Sequence, residues 1–269
     1  MAAPSSITVE QLLRRLGLPD TPVLIDVRTE EDFAADPRLA PCALRRDWRN
    51  VDEWAGAFAG RRTVIICHRG AKLSHGVAAW LREAGVAAET LEGGFLAWAA
   101  AGAPLLDHAA LPPRGRDGRT TWVTRARPKV DRIACPWLIR RFIDAEARFL
   151  FVAPSEVADV ADRFGAIAFD AEGARFGHRG GRCSFDAMIE DFALSTPALE
   201  RLALLVRGAD TGRLDLAPEA AGLLAASLGL SRLYRDDLAQ LEAGIGLYDA
   251  FYRWSRDATG ETHAAVADA

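Results

Sequence analysis

Apolar positions in the first 108 residues follow two alternating patterns. Short β-branched runs at 23–27 and 63–67 are typical of fully buried strands. Residues 8–16 and 73–85 instead repeat apolar side chains every three or four positions, as amphipathic helices do. Strands that alternate with helices are typical of a mostly parallel sheet covered by helices. The pattern therefore predicts an α/β domain with a central parallel sheet over residues 1–108.

The second half of the chain has mainly the helical pattern. Two apolar runs, 147–152 and 166–170, predict strands, and helical spacing recurs at 133–143, 155–164, 186–193, 197–207, 218–228 and 234–254. We therefore expect a mainly α-helical (α+β) domain with a small sheet at 122–254. A linker at 109–121, rich in Pro, Gly and polar residues, is expected before it, and a flexible tail at 255–269 after it.

Composition narrows the class of protein. Half of the residues are apolar and 26% are charged, which excludes a disordered or collagenous chain. Charged residues interrupt the apolar runs before they reach the roughly 18 residues that a membrane span needs, so we expect no membrane partner. The start of the chain lacks the features of a secretory signal, and the four cysteines are widely spaced. These observations predict a cytoplasmic protein with reduced cysteines.

Basic residues are concentrated in one stretch. Residues 112–141 hold nine basic and two acidic side chains, whereas the whole chain has a net charge of -4. Arg140 and Arg141 fall on the polar face of the predicted helix 133–143, so we expect them in solvent. The stretch is spread over a linker and one helix, and DNA is therefore not an expected partner.

The strongest candidate chemistry lies where a buried strand is predicted to end, at Cys67. A five-residue loop follows, and then an amphipathic helix. Amides of such a loop, the helix dipole and nearby cations such as Arg69 and Lys72 bind anions and favour a thiolate. Gly70 permits the turn of the backbone. The arrangement predicts a reactive cysteine, and the alternative is a small buried core residue.

Three segments resemble the rhodanese domain, a sulfurtransferase module, over Ile7 to Leu106. The family's loop pattern Cys-x-x-Gly-x-Arg/Lys is matched by Cys67 to Lys72, and its Asp-x-Arg strand end by Asp26 and Arg28. The closing signature Gly-Gly-x-x-x-Trp-x-x-x-Gly-x-Pro is matched by Gly93, Gly94, Trp98, Gly102 and Pro104.

The chain departs from the rhodanese pattern at three positions. Cys42 stands where glycine is common, and Leu73 stands where serine is often found. Lys72 keeps the charge of the usual arginine but lacks its planar fork of donors. These departures bear on the choice of substrate and leave the nucleophile in place.

The resemblance implies a ping-pong reaction in which Cys67 takes sulfur as a persulfide and passes it to a nucleophile. The expected donor is a small anion of the thiosulfate or mercaptopyruvate class, the acceptor is a thiol or is cyanide-like, and no cofactor is required. Substrate would be bound by the loop residues His68, Arg69, Gly70, Ala71 and Lys72, while Asp26 and Arg28 support the loop. Related phosphatases and arsenate reductases use a loop one residue longer, so the six-residue loop favours sulfur.

The second half resembles the C-terminal domain of chromate-resistance proteins of the ChrB type. Three segments carry this resemblance, at 127–144, 176–192 and 204–210. It implies a link to chromate, oxyanion or metal stress, with chromate or a metal as a partner. An alternative function follows, in which the protein is a chromate- or metal-responsive sensor that uses Cys67 as a redox thiol.

A glycine-rich loop at 176–183 and the helix after it form a second candidate site. Their histidine, thiol and carboxylate groups suit zinc, iron or manganese, although the spacing matches no strong metal signature. An anion site at Arg179 and Arg182, or a solvated helix face, remains the alternative. The candidate metal ligands are His178, Cys183, Glu190, Asp131 and Asp210.

Overall fold

A parallel sheet forms the centre of the first domain in the computed structural model, which describes residues 5–261. The strands of this domain are β1 (Ser6–Ile7), β2 (Val23–Asp26), β3 (Arg38–Leu39), β4 (Leu44–Arg45), β5 (Arg62–Ile66), β6 (Ala87–Leu91) and β7 (Leu106–Asp107). Five of them form the sheet in the order β1-β6-β5-β2-β4, with every pair parallel. The β3 and β7 strands form a separate antiparallel pair.

Helices cover both faces of this sheet. They are α1 (Val9–Leu13), α2 (Glu30–Ala35), α3 (Val51–Trp54), α4 (Lys72–Glu83) and α5 (Gly94–Ala100). Successive strand residues point to opposite faces. Ile25 and Ile65 accordingly join the core with α3 and α4, whereas Leu24 and Val64 join the core with α1 and α5. The predicted fold class of this domain is confirmed.

The second domain is mainly helical and carries a small parallel sheet, as predicted. Its strands are β8 (Thr121–Arg125), β9 (Arg148–Val152) and β10 (Ile167–Ala168), in the order β10-β8-β9. Its helices are α6 (Asp131–Leu138), α7 (Val157–Phe164), α8 (Ser184–Asp191), α9 (Pro197–Thr211), α10 (Ala220–Leu233) and α11 (Asp237–Asp257). Within residues 5–261, no helix has the length and apolar character needed to cross a membrane.

The sequence did not predict β8, the central strand of this sheet. Its first residue, Thr121, closes the predicted linker 109–121. The linker itself is anchored, because the Thr120 backbone N–H donates to Asp144 Oδ2 at 2.7 Å and the Thr120 hydroxyl donates to the same atom at 2.8 Å. Arg114 also donates to Asp144, at 2.7 Å.

The predicted helix 133–143 is α6 followed by a π-helical turn, Ile139–Ile143. The expectation that Arg140 and Arg141 face solvent was wrong. Arg140 pairs with Glu242 at 2.6 Å and Arg141 pairs with Asp249 at 2.8 Å. Both carboxylates belong to α11, which packs beside this segment and covers the face that the sequence pattern assigns to water.

The last helix extends into the predicted tail 255–269. Helix α11 ends at Asp257, and Ser255 within it is fully buried. Arg256 donates to the Leu16 carbonyl oxygen of the first domain at 3.3 Å. The final part of the predicted tail, 262–269, lies outside the described residues.

Candidate functional site

Cys67 lies directly after β5, at the carboxyl end of the central strand of the first sheet. Its thiol donates a hydrogen bond to Ser74 Oγ at 3.2 Å, and the Ser74 hydroxyl donates to the Ala71 carbonyl oxygen at 3.0 Å. Ser74 belongs to the first turn of α4 and is fully buried. Sequence reasoning missed this residue, because the family's serine was expected one position earlier.

The loop between β5 and α4 has unused hydrogen-bond donors. The backbone N–H groups of His68, Arg69, Gly70 and Ala71 donate no hydrogen bond to any residue within 5–261. Gly70 has a φ of +64°, the left-handed conformation that the sequence anticipated. Arg69 and Lys72 are exposed and form no ion pair with any other described residue. The loop that begins at Cys67 therefore has four amides without hydrogen-bond partners and two cations without ion-pair partners among the described residues.

The start of α5 holds this loop from the other side. The Phe95 N–H donates to the Cys67 carbonyl oxygen at 2.9 Å, and the Leu96 N–H donates to the His68 carbonyl oxygen at 3.1 Å. A Cβ atom added at Gly94 would lie 2.3 Å from the Cys67 carbonyl oxygen. Only glycine permits so close an approach of the two backbones.

Asp26 and Arg28 form a buried ion pair behind the loop. Arg28 Nε donates to Asp26 Oδ2 at 2.8 Å, and Arg28 is 2% exposed. The guanidinium lies over the Phe95 ring, 3.7 Å from its centroid. Because Phe95 in turn donates to the Cys67 carbonyl oxygen, the pair positions the wall that the loop rests on and has no contact with the thiol.

Two further features surround the loop. The His68 side chain is half-buried, and its Nδ1 lies 3.9 Å from Asp32 Oδ1. A cavity of about 450 Å³ opens beside the start of α4, and Lys72, Leu73 and Trp80 are among the residues that line it. Small molecules can approach the start of α4 through this cavity.

Carboxylates and an imidazole converge in the second domain. Ligand atoms of Asp131, Asp170 and His178 all lie within 4.8 Å of one another. His178 Nε2 is 3.6 Å from Asp131 Oδ2, 3.5 Å from Asp170 Oδ1 and 3.0 Å from Asp210 Oδ2. Asp131 begins α6, Asp170 follows β10, His178 lies in the glycine-rich loop and Asp210 lies near the end of α9. We call these four residues the acidic centre.

Burial and the neighbouring carboxylates raise the pKa of two residues of the acidic centre. Burial raises the pKa of Asp131 well above its ordinary value, and the neighbouring Asp210 and Asp170 raise it further. Burial and Asp170 likewise raise the pKa of Asp210, against the opposing effect of His178.

The other two predicted ligands are not among these four residues, although Cys183 lies beside Asp131. Cys183 is fully buried, and its thiol donates to Asp186 Oδ2 at 3.3 Å. Burial, Asp131 and Asp186 all raise the pKa of Cys183, so it is a neutral thiol at neutral pH. The structure does not bring Glu190 into the acidic centre, because that side chain lies on the exposed side of α8 and pairs with Arg182 at 2.8 Å.

Asp170 is the residue of the acidic centre that the sequence analysis did not select. Asp170 is the last residue of the predicted strand 166–170. Ligand sites lie at the carboxyl ends of parallel strands, so this position was a signal that Asp170 belongs to the site. The alternative anion site at this loop lacks free cations. Arg179 pairs with Asp191 at 2.7 Å, and Arg182 pairs with Glu190.

Two family models match the chain, and each of them corresponds to one domain of the fold. The rhodanese-like domain matches residues 8–101, and the ChrB C-terminal domain matches residues 122–255. This chain joins a rhodanese-like domain to a ChrB C-terminal domain. The first of these contains Cys67 and its loop, and the second contains the acidic centre.

Individual relatives match one domain at a time. The protein ChrB of Cupriavidus metallidurans is 41% identical over 133 residues, which are 49% of this chain and 39% of that protein. The chain therefore spans about two fifths of the length of this curated relative.

The solved structures match over the rhodanese-like domain. A rhodanese-related protein from Thermoplasma volcanium is 20% identical with a TM-score of 0.33, and the match covers 38% of this chain and 96% of that one. A rhodanese-like domain protein from Staphylococcus aureus is 30% identical with a TM-score of 0.31, and the match covers 35% and 90% of the two chains.

Proposed function

We propose that this protein transfers sulfur through a persulfide on Cys67, and that its ChrB-type domain links this activity to chromate or oxyanion resistance. The observation that carries the proposal is the arrangement around the thiol. Four loop amides lack hydrogen-bond partners within residues 5–261, and the cations of Arg69 and Lys72 lack ion-pair partners in the same range. Such a loop binds an anion beside a nucleophile.

In the first half-reaction, an anionic donor such as thiosulfate binds to Arg69 and Lys72. The Cys67 thiolate attacks the outer sulfur, the sulfur–sulfur bond of the donor breaks, and sulfite leaves with the electron pair of that bond. Before this attack, the Ser74 hydroxyl, whose Oγ is 3.2 Å from Cys67 Sγ, donates to the thiolate. The loop amides stabilise the persulfide that results.

In the second half-reaction, a nucleophilic acceptor attacks the outer sulfur of the persulfide. With cyanide, thiocyanate leaves and the Cys67 thiolate forms again. In each step a nucleophile attacks sulfur and a leaving group departs with the electron pair of the broken bond. The cycle therefore needs no cofactor. A reducing cytoplasm would keep Cys67 available between cycles.

The test is formation of thiocyanate from cyanide with thiosulfate or 3-mercaptopyruvate as donor. We expect turnover by the wild-type protein and none by Cys67→Ala. The control is Cys42→Ala, which removes a half-buried thiol that has no contact with the loop between β5 and α4. It should retain turnover. A folded wild-type protein that turns over neither donor would contradict the proposal and favour the sensor alternative.

The link to resistance is tested in cells that produce the protein. If sulfur transfer supports resistance, wild-type protein should raise chromate tolerance and Cys67→Ala should not. If both proteins gave equal tolerance at equal protein level, chromate resistance would not depend on the chemistry of Cys67.

A further inference from the structure

We propose that the acidic centre of the ChrB-type domain binds one divalent first-row transition metal, with Asp131, Asp170 and His178 as ligands and Asp210 beside them. This inference is independent of sulfur transfer by Cys67, because it concerns other residues in the other domain.

The distances suit a metal. Ligands about 2.1 Å from a tetrahedral ion lie roughly 3.4 Å from one another. His178 Nε2 is 3.6 Å from Asp131 Oδ2 and 3.5 Å from Asp170 Oδ1. Small movements of these side chains would therefore bring three ligand atoms to bonding distance of one ion.

An unsatisfied atom points to a missing partner. Asp131 is 1% exposed, and its Oδ1 has no hydrogen-bond partner among residues 5–261. A buried carboxylate oxygen without a partner is costly, and buried charges are ordinarily paired or bound to metals. A cation bound by both oxygens of the Asp131 carboxylate would satisfy this atom.

The three carboxylates of the acidic centre outnumber the arginines that pair with them. Arg125 and Arg132 both pair with Asp170 Oδ2, at 2.8 Å and 3.2 Å. Within the described residues, neither Asp131 nor Asp210 forms an ion pair with an arginine or lysine. A divalent ion supplies the charge that the arginines do not.

Hydrogen bonds hold the carboxylates in place before any ion binds. The Ser184 N–H donates to Asp131 Oδ2 at 2.6 Å, and the Ser184 hydroxyl donates to Asp170 Oδ1 at 2.9 Å. Partners of this kind orient metal ligands and tune their affinity.

The backbone next to Asp131 is strained and firmly held. Val130 has a φ of +33°, a rare conformation for a β-branched residue. Its N–H donates to Ser227 Oγ at 2.9 Å, and its carbonyl oxygen accepts from the Tyr248 hydroxyl at 3.0 Å. Helices α10 and α11 thus fix the point at which Asp131 enters the acidic centre.

The site is accessible, and its ligands select the class of ion. The His178 side chain is 44% exposed, so an ion can enter from solvent. Carboxylates suit manganese, whereas imidazole suits zinc and iron. A mixed set of carboxylates and one imidazole accordingly suits Mn²⁺, Fe²⁺ or Zn²⁺ better than Ca²⁺.

The test is binding of Mn²⁺ and of Zn²⁺ to the full chain after treatment with a chelator, measured by equilibrium dialysis with elemental analysis. We expect one ion per chain. Because His178 is exposed, His178→Ala should fold normally and bind at least about 10-fold more weakly. Glu190→Gln is the matched control, since it removes a carboxylate at 56% side-chain exposure that pairs with Arg182, and it should bind like wild type.

Pulsed electron paramagnetic resonance of the Mn²⁺ form adds a direct readout of the ligand. Nitrogen modulation should be present in the wild-type protein and absent in His178→Ala. Failure of both ions to bind at one per chain would overturn the proposal. Wild-type affinity in His178→Ala would overturn it as well, because His178 would then do no more than pair with three carboxylates.

Discussion

The loop of Cys67 depends on a backbone contact at a single glycine. Gly94 has a φ of +60°, and its ideal Cβ position is 2.3 Å from both the Cys67 carbonyl oxygen and the Gly70 nitrogen. Any side chain at this position would push the loop away from α5. The geometry of the amides around the thiol would then be lost.

Gly94→Ala should therefore abolish most sulfur transfer. Gly102→Ala is the matched control, since Gly102 has a φ of +63° but no described atom beyond its chain neighbours within 4 Å of the Cβ position. Both variants pay about 1–2 kcal/mol for a left-handed alanine, and only Gly94→Ala adds the clash. Turnover per folded molecule is the measurement, and equal turnover by the two variants would argue against this role for Gly94.

The sequence predicted the Cys67 loop more fully than the acidic centre. The loop is local, so one short segment contains the nucleophile, the turn glycine and the cations. The acidic centre instead brings together distant segments. Asp131 begins α6, Asp170 follows β10, and His178 lies in the glycine-rich loop. The strand end marks Asp170 as a candidate, but the local pattern does not show that Asp170 meets the others or that Glu190 does not.

At the scale of elements, helices α6 and α11 pack at a glycine. A Cβ atom at Gly244 of α11 would lie 2.6 Å from Ile133 Cγ2 of α6. Isoleucine is stiff at χ1, so it cannot easily move away. Close contact of these helices also places the acidic residues of α11 beside Arg140 and Arg141.

We expect Gly244→Ala to lower the free energy of unfolding by about 1–3 kcal/mol through overpacking. Gly246→Ala lies on the exposed side of the same helix, and outside its chain neighbours and the adjoining helix backbone no described atom is within 4 Å of the new Cβ. It should raise the free energy of unfolding by roughly 0.5–1 kcal/mol, because alanine favours the helix. Urea titrations of the two variants check the opposite signs, and a stabilising Gly244→Ala would refute the packing argument.

Helices α8 and α9 are joined by an ion pair that should respond to pH. Arg207 donates to the Asp186 carboxylate at 2.6 Å and 2.9 Å. Burial alone raises the pKa of Asp186, but hydrogen bonds from Arg207 and Cys183 outweigh it and hold the pKa below its ordinary value. A lowered folded-state pKa means that the charged carboxylate stabilises the fold.

This contribution is complete above the unfolded-state pKa of about 4 and is lost as the pH falls through the lower folded-state value. At neutral pH, Asp186→Asn should cost roughly 1.5–3 kcal/mol. The difference from wild type should shrink as the pH falls below about 4. Unfolding free energies of both proteins across this range test the sign, and a difference that grows in acid would exclude the pair as its source.

Periodicity predicted the helices of the second domain but missed β8, the central strand of its sheet. Strand β8 is only five residues long and lies between segments rich in arginine. Its short apolar centre is therefore not recognisable as a strand from the sequence pattern. It becomes the central strand because β9 and β10 pair with it on either side. Such pairing depends on segments distant in the chain, which a local pattern does not include.

At the scale of the whole molecule, the two domains share a continuous core. A Cβ atom at Gly17 of the first domain would lie 2.6 Å from Phe142 Cζ and 2.7 Å from Tyr252 Cε1 of the second. The Cys42 N–H donates to the Phe142 carbonyl oxygen at 2.9 Å. Cys42 itself has a φ of +56°, which explains why glycine is common there. We therefore expect the domains to unfold together.

Gly17→Ala should disturb this contact and separate the thermal transitions of the two domains. Gly85→Ala is the control, since its φ of +78° matches the +75° of Gly17, and no described atom beyond its chain neighbours lies within 4 Å of its Cβ position. That variant should lose stability but keep a single transition. Two transitions already present in the wild-type protein, by calorimetry, would contradict a shared core.

The order and fold class of the domains were predictable, whereas their packing was not. Each domain carries its own periodicity and motifs, but the contacts of Gly17 and Cys42 involve residues more than 90 positions away. A sequence pattern contains no information on such distant partners. The composition of the predicted linker likewise did not show that its Thr120 is tied to Asp144.

The central claim is that Cys67 accepts sulfur, and intact-protein mass spectrometry after one exposure to thiosulfate tests it most directly. The wild-type chain and Cys42→Ala should each gain the mass of one sulfur atom and lose it on addition of cyanide. Cys67→Ala should gain nothing. A wild-type chain of unchanged mass, or an adduct that persists in Cys67→Ala, would contradict the account.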